Sequence, residues 1–392
     1  MKLAILTCGM LPIPAVKGGA VENLIDFYLE YNDIHKLHDI TVYSPWDNKV
    51  TPHPALLSAV NHYVFIDVGS PMARLRRKLY GMFHTNEYYN YFIEYYFEQA
   101  YKDLKKKKFD FIILENSPGY ACKLSQRGYH NIVLHLHNDL LNNVSRKHDV
   151  IAKNLTKVLT VSEYIRERVC TICPAAITKT VHNGIALHLF DRSSVTVGRK
   201  DIGLSDDDFV IVFSGRMNKD KGIAELVDAI LKLEQLSNIK LLALGSNFFE
   251  DAKSDDTFLQ ELKTRAMRVQ HKFIFTGFIP YSKVATYLHL ADIAVLPSMW
   301  EEPFGLTVVE AMAAGLPLVT TRSGGIPEIC EGVATIVERH NIVENLSAAI
   351  IELYEHPEKR MKMSAAAILR AQTFSKENFV KNFFAAIKDL QH

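Results

Sequence analysis

The sequence predicts an α/β protein that contains two doubly wound parallel sheets. Short β-branched segments alternate with longer helical patterns through most of the chain, which is typical of parallel strands connected by helices. With 392 residues, the chain is about twice the usual length of a single domain. The alternation loosens at residues 190–207 and then restarts. We therefore expect two domains of similar length, with ligands beyond the carboxyl ends of the strands, in a cleft between the domains.

The predicted elements follow in chain order. The first half carries strand-like segments at residues 3–7, 40–43, 111–115, 132–136 and 157–161. The second half carries them at residues 209–213, 240–244, 273–276, 293–296 and 318–321. A last helical segment, residues 376–388, has no strand after it and could dock on either half. These segments predict a first domain at residues 1–188 and a second domain at residues 189–374.

Composition excludes several classes of protein. Lys and Arg total 45 against 44 for Asp and Glu, so a net charge of +1 gives no global field to hold a nucleic acid. We find no signal-peptide pattern and no apolar run near the roughly 20 residues of a membrane span. The five cysteines are few and mostly scattered, which argues against a disulfide framework and for a reducing compartment. We expect a cytoplasmic protein.

Residues 74–101 form an unusual segment that is basic at its start and aromatic throughout. Its cations are Arg74, Arg76, Arg77 and Lys78, and its aromatic residues include Tyr80, Tyr88, Tyr89, Tyr95, Tyr96 and Phe97. Most of the segment has a helical pattern. One interpretation is a core helix whose aromatic face packs on the sheet. The other is a surface that contacts anionic lipid head groups near an acceptor.

Absent motifs narrow the reaction classes. The chain has no GxGxxG, Walker A, HExxH or GxSxG pattern, which argues against dinucleotide dehydrogenases, P-loop NTPases, zincins and standard α/β-hydrolases. Cys170 and Cys173 form a lone CxxC. A zinc site needs further ligands, and a redox dithiol is expected at a helix N-terminus, whereas this pair follows a helical pattern. We expect no function for it.

The most informative segment is residues 297–315, where a turn connects a strand to a helix. Because the helix begins at the carboxyl end of a strand, the backbone amides near Gly305, Leu306 and Thr307 should lack intrahelical acceptors. Such amides, together with the positive end of the helix dipole, suit an anionic diphosphate. This segment therefore predicts a phosphate-binding helix N-terminus.

Two carboxylates accompany this predicted anion site. Glu302 lies in the turn before the helix, and Glu310 lies in its second turn. Carboxylates that faced a phosphate would repel it, so we expect both to accept hydrogen bonds from sugar and ribose hydroxyls instead. The neighbouring Glu301 fits an ordinary surface acid.

A second constellation follows the first strand of the second half. Gly215 allows a tight turn, and Arg216 and Lys221 place cations near the strand ends. In the absence of a metal ion, a departing diphosphate needs such cations to stabilise its developing charge. We therefore expect both side chains to contact a diphosphate.

The first half contributes glycines and a histidine. Gly18 and Gly19 precede a helical pattern and would allow a phosphate to approach the backbone. Strand alternation places His135 and His137 on one face, with His137 nearer the strand end. We expect His137 in the site and His135 in the core.

These residues resemble a family-4 retaining glycosyltransferase of the GT-B fold, similar to bacterial enzymes that build capsular polysaccharides, exopolysaccharides and lipid-linked glycans. The resemblance covers essentially the whole chain. Its most specific element is Glu302-Pro-Phe-Gly with Glu310, separated by seven residues. It also rests on Gly18, Gly19, His137, Ser162, His182-Asn183-Gly184-Ile185, Gly215, Arg216, Lys221 and Gly277-Phe278-Ile279-Pro280.

The resemblance implies two Rossmann-like domains that face a central cleft. Residues 1–188 would hold most of the acceptor, and residues 189–374 would hold a nucleotide-sugar donor. The C-terminal helix, about residues 375–392, would pack back on the first domain.

The resemblance also implies residue roles. Arg216 and Lys221 would bind the diphosphate, which Gly18 and Gly19 would approach from the other domain. Glu310 would bind the ribose. The expected catalytic residues are Glu302, His137, Arg216 and Lys221. The expected donor-binding residues are Gly18, Gly19, Arg216, Lys221, Phe278, Phe304, Gly305, Leu306, Thr307 and Glu310.

Two of these roles concern the donor sugar and base. Glu302, with the backbone of Phe304 and Gly305, would hold the donor sugar, and His137 would touch it from the first domain. The backbone around Phe278 would meet the base, which leaves uracil, thymine and guanine open, with a UDP-sugar favoured.

The implied reaction is a metal-independent transfer, without a further cofactor, to a glycan or a polyprenyl-diphosphate-linked saccharide. Glu302 would position hydroxyls rather than act as a nucleophile. The chain has no DxD after an apolar strand, since residues 206–208 precede one. Alternatives are a nucleotide-sugar epimerase on a similar scaffold and a catalytically silent nucleotide-sugar-binding partner of another transferase.

Overall fold

The computed structural model describes residues 1–84, 91–192, 197–245 and 257–391. The chain divides into two compact units, Met1–Asn183 with Phe379–His392 and Gly184–Asn378. Each unit is built on one parallel sheet. The predicted α/β class with two doubly wound parallel sheets is therefore confirmed.

The first unit contains a seven-stranded sheet in the order β3-β2-β1-β4-β5-β6-β7. Its strands are β1 Lys2–Leu6, β2 Asp39–Pro45, β3 Asn61–Ile66, β4 Phe111–Glu115, β5 Ile132–Leu136, β6 Lys157–Thr160 and β7 Thr178–Thr180. Its helices are α1 Ala20–His35, α2 Pro71–Phe83, α3 Tyr91–Leu104, α4 Gly119–Ser125, α5 His148–Ala152 and α6 Glu163–Cys170. Strand order reverses between β1 and β4, so the loops after these strands flank the topological switch point.

The second unit contains a six-stranded sheet in the order β10-β9-β8-β11-β12-β13. Its strands are β8 Phe209–Ser214, β9 Ile239–Leu244, β10 Phe273–Gly277, β11 Ile293–Leu296, β12 Leu318–Thr321 and β13 Thr335–Val337. Its helices are α7 Ile223–Lys232, α8 Thr257–Ala266, α9 Tyr281–Leu288, α10 Leu306–Ala313, α11 Ile326–Cys330, α12 Ile342–Glu355 and α13 Pro357–Ala371. The switch point lies between β8 and β11.

The last helix, α14, spans Lys376–Lys388. From Phe379 onward its residues belong to the first unit, where Phe383 and Ile387 join the core. The Phe383 ring stacks on Tyr28 of α1, with 4.3 Å between ring centroids. Burial of these apolar side chains attaches the helix to the first sheet.

Strands β4, β5, β11 and β12 have the predicted bounds, whereas β3, β7 and β13 were not predicted. All three missed strands lie at sheet edges. Strands β7 and β13 have three residues each. Edge strands bury less of their surface, so their hydrophobic pattern is short or interrupted.

The basic aromatic segment separates into two helices with different surroundings. Helix α3 carries the fully buried Tyr96 and Phe97, which confirms the core interpretation for that part. Helix α2 is largely exposed. Residues 85–90, including Tyr88 and Tyr89, lie outside the described residues. Within the described parts of the chain, no helix is both long and apolar enough to cross a membrane.

Candidate functional site

In the second unit, the two loops that follow β8 and β11 are held together by their backbones. The Met299 amide donates to the Asp220 carbonyl at 2.8 Å. Gly222, with φ of 69°, permits this approach, because a Cβ there would lie 1.9 Å from the Pro297 carbonyl oxygen. A side chain would force the loops apart. The glycine therefore fixes the distance between the two predicted donor loops.

Helix α10 begins where the sequence predicts it. Gly305, with φ of 109°, precedes the first helical residue, Leu306. Neither the Leu306 nor the Thr307 amide donates to a described backbone carbonyl, as expected for the first turn of a helix. This geometry is compatible with the predicted anion site, which stays a prediction.

Glu302 is fixed by three groups near this helix N-terminus. Its carboxylate is buried, forms an ion pair with Lys221, and accepts a hydrogen bond from Ser298 Oγ at 2.9 Å. Its carbonyl accepts from the Gly325 amide at 2.8 Å. The ion pair with Lys221 offsets the negative charge that this buried carboxylate would otherwise present to a ligand.

Lys221, Glu302, Gly305 and Thr307 line a single pocket in the second unit. Its other lining residues are Phe213, Ser214, Leu296, Ser298, Val308 and Ile326. Lys221 Nζ also lies 5.7 Å from the centroid of the Trp300 ring. The structure thus brings together four predicted site residues that come from the two loops at the switch point.

The Arg216 side chain differs from that of Lys221 in having no partner among the described residues. It is exposed, and its guanidinium makes no hydrogen bond or ion pair with a described residue. It lies two residues beyond β8, and it does not line the pocket. The protein therefore keeps one cation neutralised and one available for an anion.

Glu310 is buried in α10, and its carboxyl is hydrogen-bonded to the Tyr281 hydroxyl. Burial raises the pKa of Glu310 to about 7, because the hydrogen bond from Tyr281 offsets only part of the desolvation. The carboxyl therefore titrates near neutral pH.

The two predicted aromatic contacts differ in exposure. Phe278 follows β10 and is exposed, so both its ring and its backbone are accessible. Phe304 is buried, and its ring packs edge-on against Phe374 at 5.7 Å between centroids. Phe304 as a whole therefore belongs to the core, and the predicted ligand contact of its backbone stays a prediction.

In the first unit, Gly18 and Gly19 precede α1 with φ values of 71° and 107°. A Cβ on Gly18 would meet nothing within 4 Å, whereas a Cβ on Gly19 would lie 2.1 Å from Glu22 Oε2. Gly18 therefore leaves open space, while Gly19 makes room for the chain's own carboxylate. Burial, reinforced by the charge of Glu115, raises the pKa of Glu22 to about 7.

His137 belongs to a buried polar cluster at the carboxyl ends of β4 and β5. Its Nε2 lies 2.9 Å from Glu115 Oε2, and His135 Nδ1 lies 3.1 Å from the same oxygen. The Tyr28 hydroxyl donates to Glu115 Oε1 at 3.0 Å. The predicted core position of His135 agrees with its complete burial, and His137 shares its carboxylate partner.

This cluster has a defined charge distribution. Burial opposes ionisation of Glu115, but His135 and His137 outweigh it and hold the pKa of the carboxyl well below its usual range. Burial and the charge of His135 lower the pKa of His137 to about 4. At neutral pH, Glu115 is therefore the anion, and the His137 ring is neutral and donates through Nε2.

The neutral ring leaves one acceptor atom. His137 Nδ1 is buried and has no hydrogen-bond partner among the residues that the structure describes. The ligand atoms of Glu115, His135 and His137 also lie within 4.8 Å of one another, a spacing that could hold a metal ion. The distances of 2.9 and 3.1 Å already fit N–H···O hydrogen bonds.

Glu115, Tyr28 and Glu22 belong to no motif in the sequence. Glu115 carries one local signal, because it ends the apolar strand β4 with a charged residue. In the sheet it is the register partner of His135. A charged residue at the carboxyl end of an otherwise apolar strand is thus the feature that could identify it.

The sequence predicts no function for the Cys170–Cys173 pair and an ordinary surface acid at Glu301. Cys170 and Cys173 are free thiols, and Cys170 Sγ lies 3.3 Å from Thr178 Oγ1. Glu301 forms an ion pair with Arg339 and accepts the Gly324 amide at 2.5 Å, so it supports the loop.

Comparison with known proteins identifies the family. The family model described as "Glycosyl transferases group 1" matches residues 196–370, which include both loops and α10. A putative glycosyltransferase of Bacillus subtilis (strain 168), YtcC, is 30% identical over 387 residues, covering 94% of this chain and 86% of the relative. This chain is a group 1 glycosyltransferase.

Two further proteins place this group 1 glycosyltransferase among its relatives. The lipopolysaccharide 1,2-N-acetylglucosaminetransferase of Salmonella typhimurium (strain LT2) is 25% identical over 286 residues, 71% of this chain and 72% of the relative. The crystal structure of Anabaena Alr3699/HepE in complex with UDP matches with a TM-score of 0.73 and 19% identity, covering 99% of this chain and 100% of that chain. The expected GT-B fold is confirmed.

Proposed function

We propose that this group 1 glycosyltransferase moves a hexose-type sugar from a nucleoside-diphosphate donor, with a UDP-sugar favoured, to a glycan or lipid-linked saccharide. The observation that carries the proposal is the pocket in which the Lys221–Glu302 pair lies beside the first-turn amides of α10. It combines an anion site with a neutralised hydroxyl-binding carboxylate, and a nucleotide-sugar needs both.

The donor contacts follow from this charge distribution. Arg216 and the Leu306 and Thr307 amides bind the diphosphate, since the Arg216 guanidinium has no acceptor among the described residues and the two amides have none among the described backbone carbonyls. Lys221 lines the same pocket as Gly305 and Thr307 and forms an ion pair with Glu302. These groups together supply the positive charge that a leaving diphosphate requires, which is the basis for proposing metal-independent transfer.

The remaining donor contacts involve hydroxyls and the base. Glu302 accepts hydrogen bonds from hydroxyls of the sugar, and Glu310 accepts them from the ribose. The exposed residue Phe278 meets the base. In the first unit, Gly18 leaves space for the diphosphate, and His137 offers Nδ1 to a sugar hydroxyl.

We propose that transfer retains the configuration of the anomeric carbon. The acceptor oxygen forms its bond to that carbon on the face from which the diphosphate departs, and a diphosphate oxygen takes the acceptor proton. Glu302, fixed by Lys221 and Ser298, positions hydroxyls and forms no covalent intermediate. If azide rescued Glu302→Ala and gave a glycosyl azide of inverted configuration, this part of the proposal would fail.

The acceptor proposal rests on chemistry and on one relative. The Salmonella transferase acts, by its name, on lipopolysaccharide. A polyprenyl-diphosphate-linked saccharide in cell-surface polysaccharide biosynthesis, such as a capsule or an exopolysaccharide, fits the same class. We place the enzyme in the cytoplasm, with peripheral contact to the inner face of the membrane.

The test is calorimetric titration of the purified protein with UDP, TDP, GDP and ADP in the presence of a chelator. We expect binding with preference for UDP, the ligand bound in the Anabaena structure. Binding only after a divalent metal is restored would refute metal independence. No binding of any nucleotide, with an intact UDP-sugar also silent, would refute the donor site.

A second assay tests catalysis. The purified chain alone should release UDP from a UDP-sugar rapidly only when a saccharide acceptor is present. Conversion of the donor sugar to its epimer without an acceptor would assign an epimerase instead. Tight donor binding without either reaction, across an acceptor panel, would assign a silent partner.

A further inference from the structure

Helix α2 of the first unit has one side packed on the protein. Ser70 Oγ caps its first turn by accepting the Ala73 amide at 3.2 Å. Ala73 is buried, Arg77 lies 4.3 Å above the Phe92 ring, and Tyr80 packs edge-on against Tyr95 of α3. This side holds the helix in place.

The other side of α2 is apolar and exposed. Its residues and exposed fractions are Met72 57%, Leu75 54%, Leu79 48%, Met82 69% and Phe83 81%. Their spacing of three, four, three and one residues places them on one stripe, roughly 100° wide, of a helix with about 3.6 residues per turn. We call these five residues the α2 apolar face.

Such a face is unusual on a protein surface. Single exposed apolar side chains are common, but a contiguous row of five on one helix marks a surface that is covered by something else. No described residue of the chain covers it, given these exposed fractions.

Cations border the α2 apolar face. Arg74, Arg76 and Lys78 are exposed and form no ion pair with a described residue. The helix Pro71–Phe83 contains no Asp or Glu. The nearest preceding acid, Asp67, accepts the Gly69 and Ser70 amides and stabilises the turn before the helix.

We propose that the α2 apolar face inserts into the head-group region of an anionic membrane, while Arg74, Arg76 and Lys78 contact lipid phosphates. Apolar side chains flanked by unpaired cations, with no acid between them, fit an anionic bilayer surface. A protein partner for the same surface would need acidic groups around an apolar groove. An anionic bilayer provides negatively charged phosphates and an apolar interior along the whole length of the helix.

This inference deepens the peripheral contact in the proposed function and explains how a lipid-linked acceptor would be reached. Its test requires neither donor nor acceptor. A negative vesicle result with intact UDP binding would refute the α2 surface alone, whereas loss of UDP binding with intact vesicle binding would refute the donor site alone.

The experiment is flotation of the purified full-length protein with vesicles of neutral phosphatidylcholine, and with vesicles that also contain phosphatidylglycerol. We expect binding to the anionic vesicles, weakened by salt, and little binding to the neutral ones. Equal binding to both, or to neither, would overturn the proposal.

Variants locate the surface. Leu79→Asp should lower the vesicle partition coefficient about 10-fold or more, because an apolar side chain is replaced by a charge of the wrong sign. Lys78→Gln should lower it about fivefold. The matched control is Leu369→Asp on α13, where Leu369 is 72% exposed and lies in the second unit.

Far-ultraviolet circular dichroism and UDP affinity should be unchanged in all three variants. Wild-type vesicle binding by Leu79→Asp would overturn the assignment, as would an equal loss in Leu369→Asp. If the protein instead formed a dimer that Leu79→Asp dissolved, without binding vesicles, the face would be an interface between two copies and the lipid proposal would be wrong.

Discussion

The pocket of the second unit and the histidine cluster of the first unit differ in how a buried carboxylate is stabilised. In the pocket, the carboxylate of Glu302 is paired with Lys221, and outside the pocket, in the same loop as Lys221, Arg216 forms no ion pair with a described residue. In the cluster, the ionised Glu115 has hydrogen-bonding partners in His135, His137 and Tyr28, and it forms no ion pair with a described Lys or Arg. The second unit therefore carries an unpaired cation that suits an anion, whereas the buried charge of the first unit is negative.

This difference separates two tasks of a transferase. A leaving diphosphate needs positive charge that becomes more favourable as the bond breaks. A saccharide is neutral and needs oriented donors and acceptors. The unpaired Arg216 and the first-turn amides therefore favour the second unit for the diphosphate. The cluster around the ionised Glu115 would repel a phosphate and favours the first unit for sugar hydroxyls.

The largest expected effect is that of Lys221→Ala. It removes a cation beside the diphosphate and leaves the buried Glu302 carboxylate without its charge partner. We expect kcat/KM for transfer to fall about 10³-fold. Steady-state kinetics with a UDP-sugar measures it.

The matched control is Lys219→Ala, which removes an exposed cation from the same turn. It should leave kcat/KM nearly unchanged. An equal loss in both variants would show that the general charge of the loop, rather than the Lys221–Glu302 pair, is responsible.

Arg216→Ala should lower turnover about 100-fold, because it removes a preorganised charge donor. Thermal stability should not change, since the side chain is exposed and has no partner among the described residues. Arg216→Lys should recover part of the activity, as it restores charge but not the planar fork. Near-wild-type turnover of Arg216→Ala would remove this residue from the diphosphate site.

Glu115→Gln tests the histidine cluster of the first unit. It replaces an anion that accepts three hydrogen bonds with an amide that must also donate. We expect the free energy of unfolding to fall by about 2 kcal/mol, roughly 30-fold in the folding equilibrium. UDP affinity should be unchanged if the nucleotide binds in the second unit as proposed, and an equal loss of UDP affinity would contradict the separation of tasks.

The stability lost in Glu115→Gln should depend on pH in a direction that the pKa of Glu115 determines. The pKa of Glu115 lies below its ordinary value of 4.5, so its stabilisation is present above that pH and disappears as the pH falls through the folded-state pKa. The stability difference between wild type and Glu115→Gln should therefore narrow in acid. Chemical denaturation at pH 7 and at pH 4 measures it, and a gap that widened in acid would contradict this charge assignment.

The smallest expected effect concerns Glu310. Because burial raises its pKa to about 7, the ionised form that accepts ribose hydroxyls predominates only above that pH. UDP affinity should rise about 10-fold between pH 6 and pH 8 beyond the change caused by titration of UDP itself. Glu310→Gln serves as the reference, since it retains the shape and lacks this titration. Parallel pH profiles for the two proteins would exclude Glu310 from the nucleotide contacts.

The sequence predicts local structure well in this chain because its signals are local. Helix α10 begins after Gly305 as expected, and the strand before it has the predicted bounds Ile293–Leu296. Apolar periodicity, glycines and strand-to-helix turns act over a few residues, so they can be read without tertiary contacts. The predicted cations Arg216 and Lys221 follow β8 as expected, because the end of that strand is also a local signal.

Partnerships between distant residues depend on packing. Lys221 and Glu302 are 81 residues apart, and their ion pair exists because the two loops meet at the switch point between β8 and β11. Tyr28 and Glu115 are 87 residues apart, and no motif connects them.

Local sequence patterns were sufficient to predict the fold class, the start of helix α10 and the charged residues near it. Only the tertiary structure decided which charge is neutralised, which remains free and which histidine tautomer results. The physical reason is that backbone conformation follows from local sterics and burial pattern, whereas the ionisation and hydrogen bonding of a side chain follow from the groups that folding brings within about 3 Å.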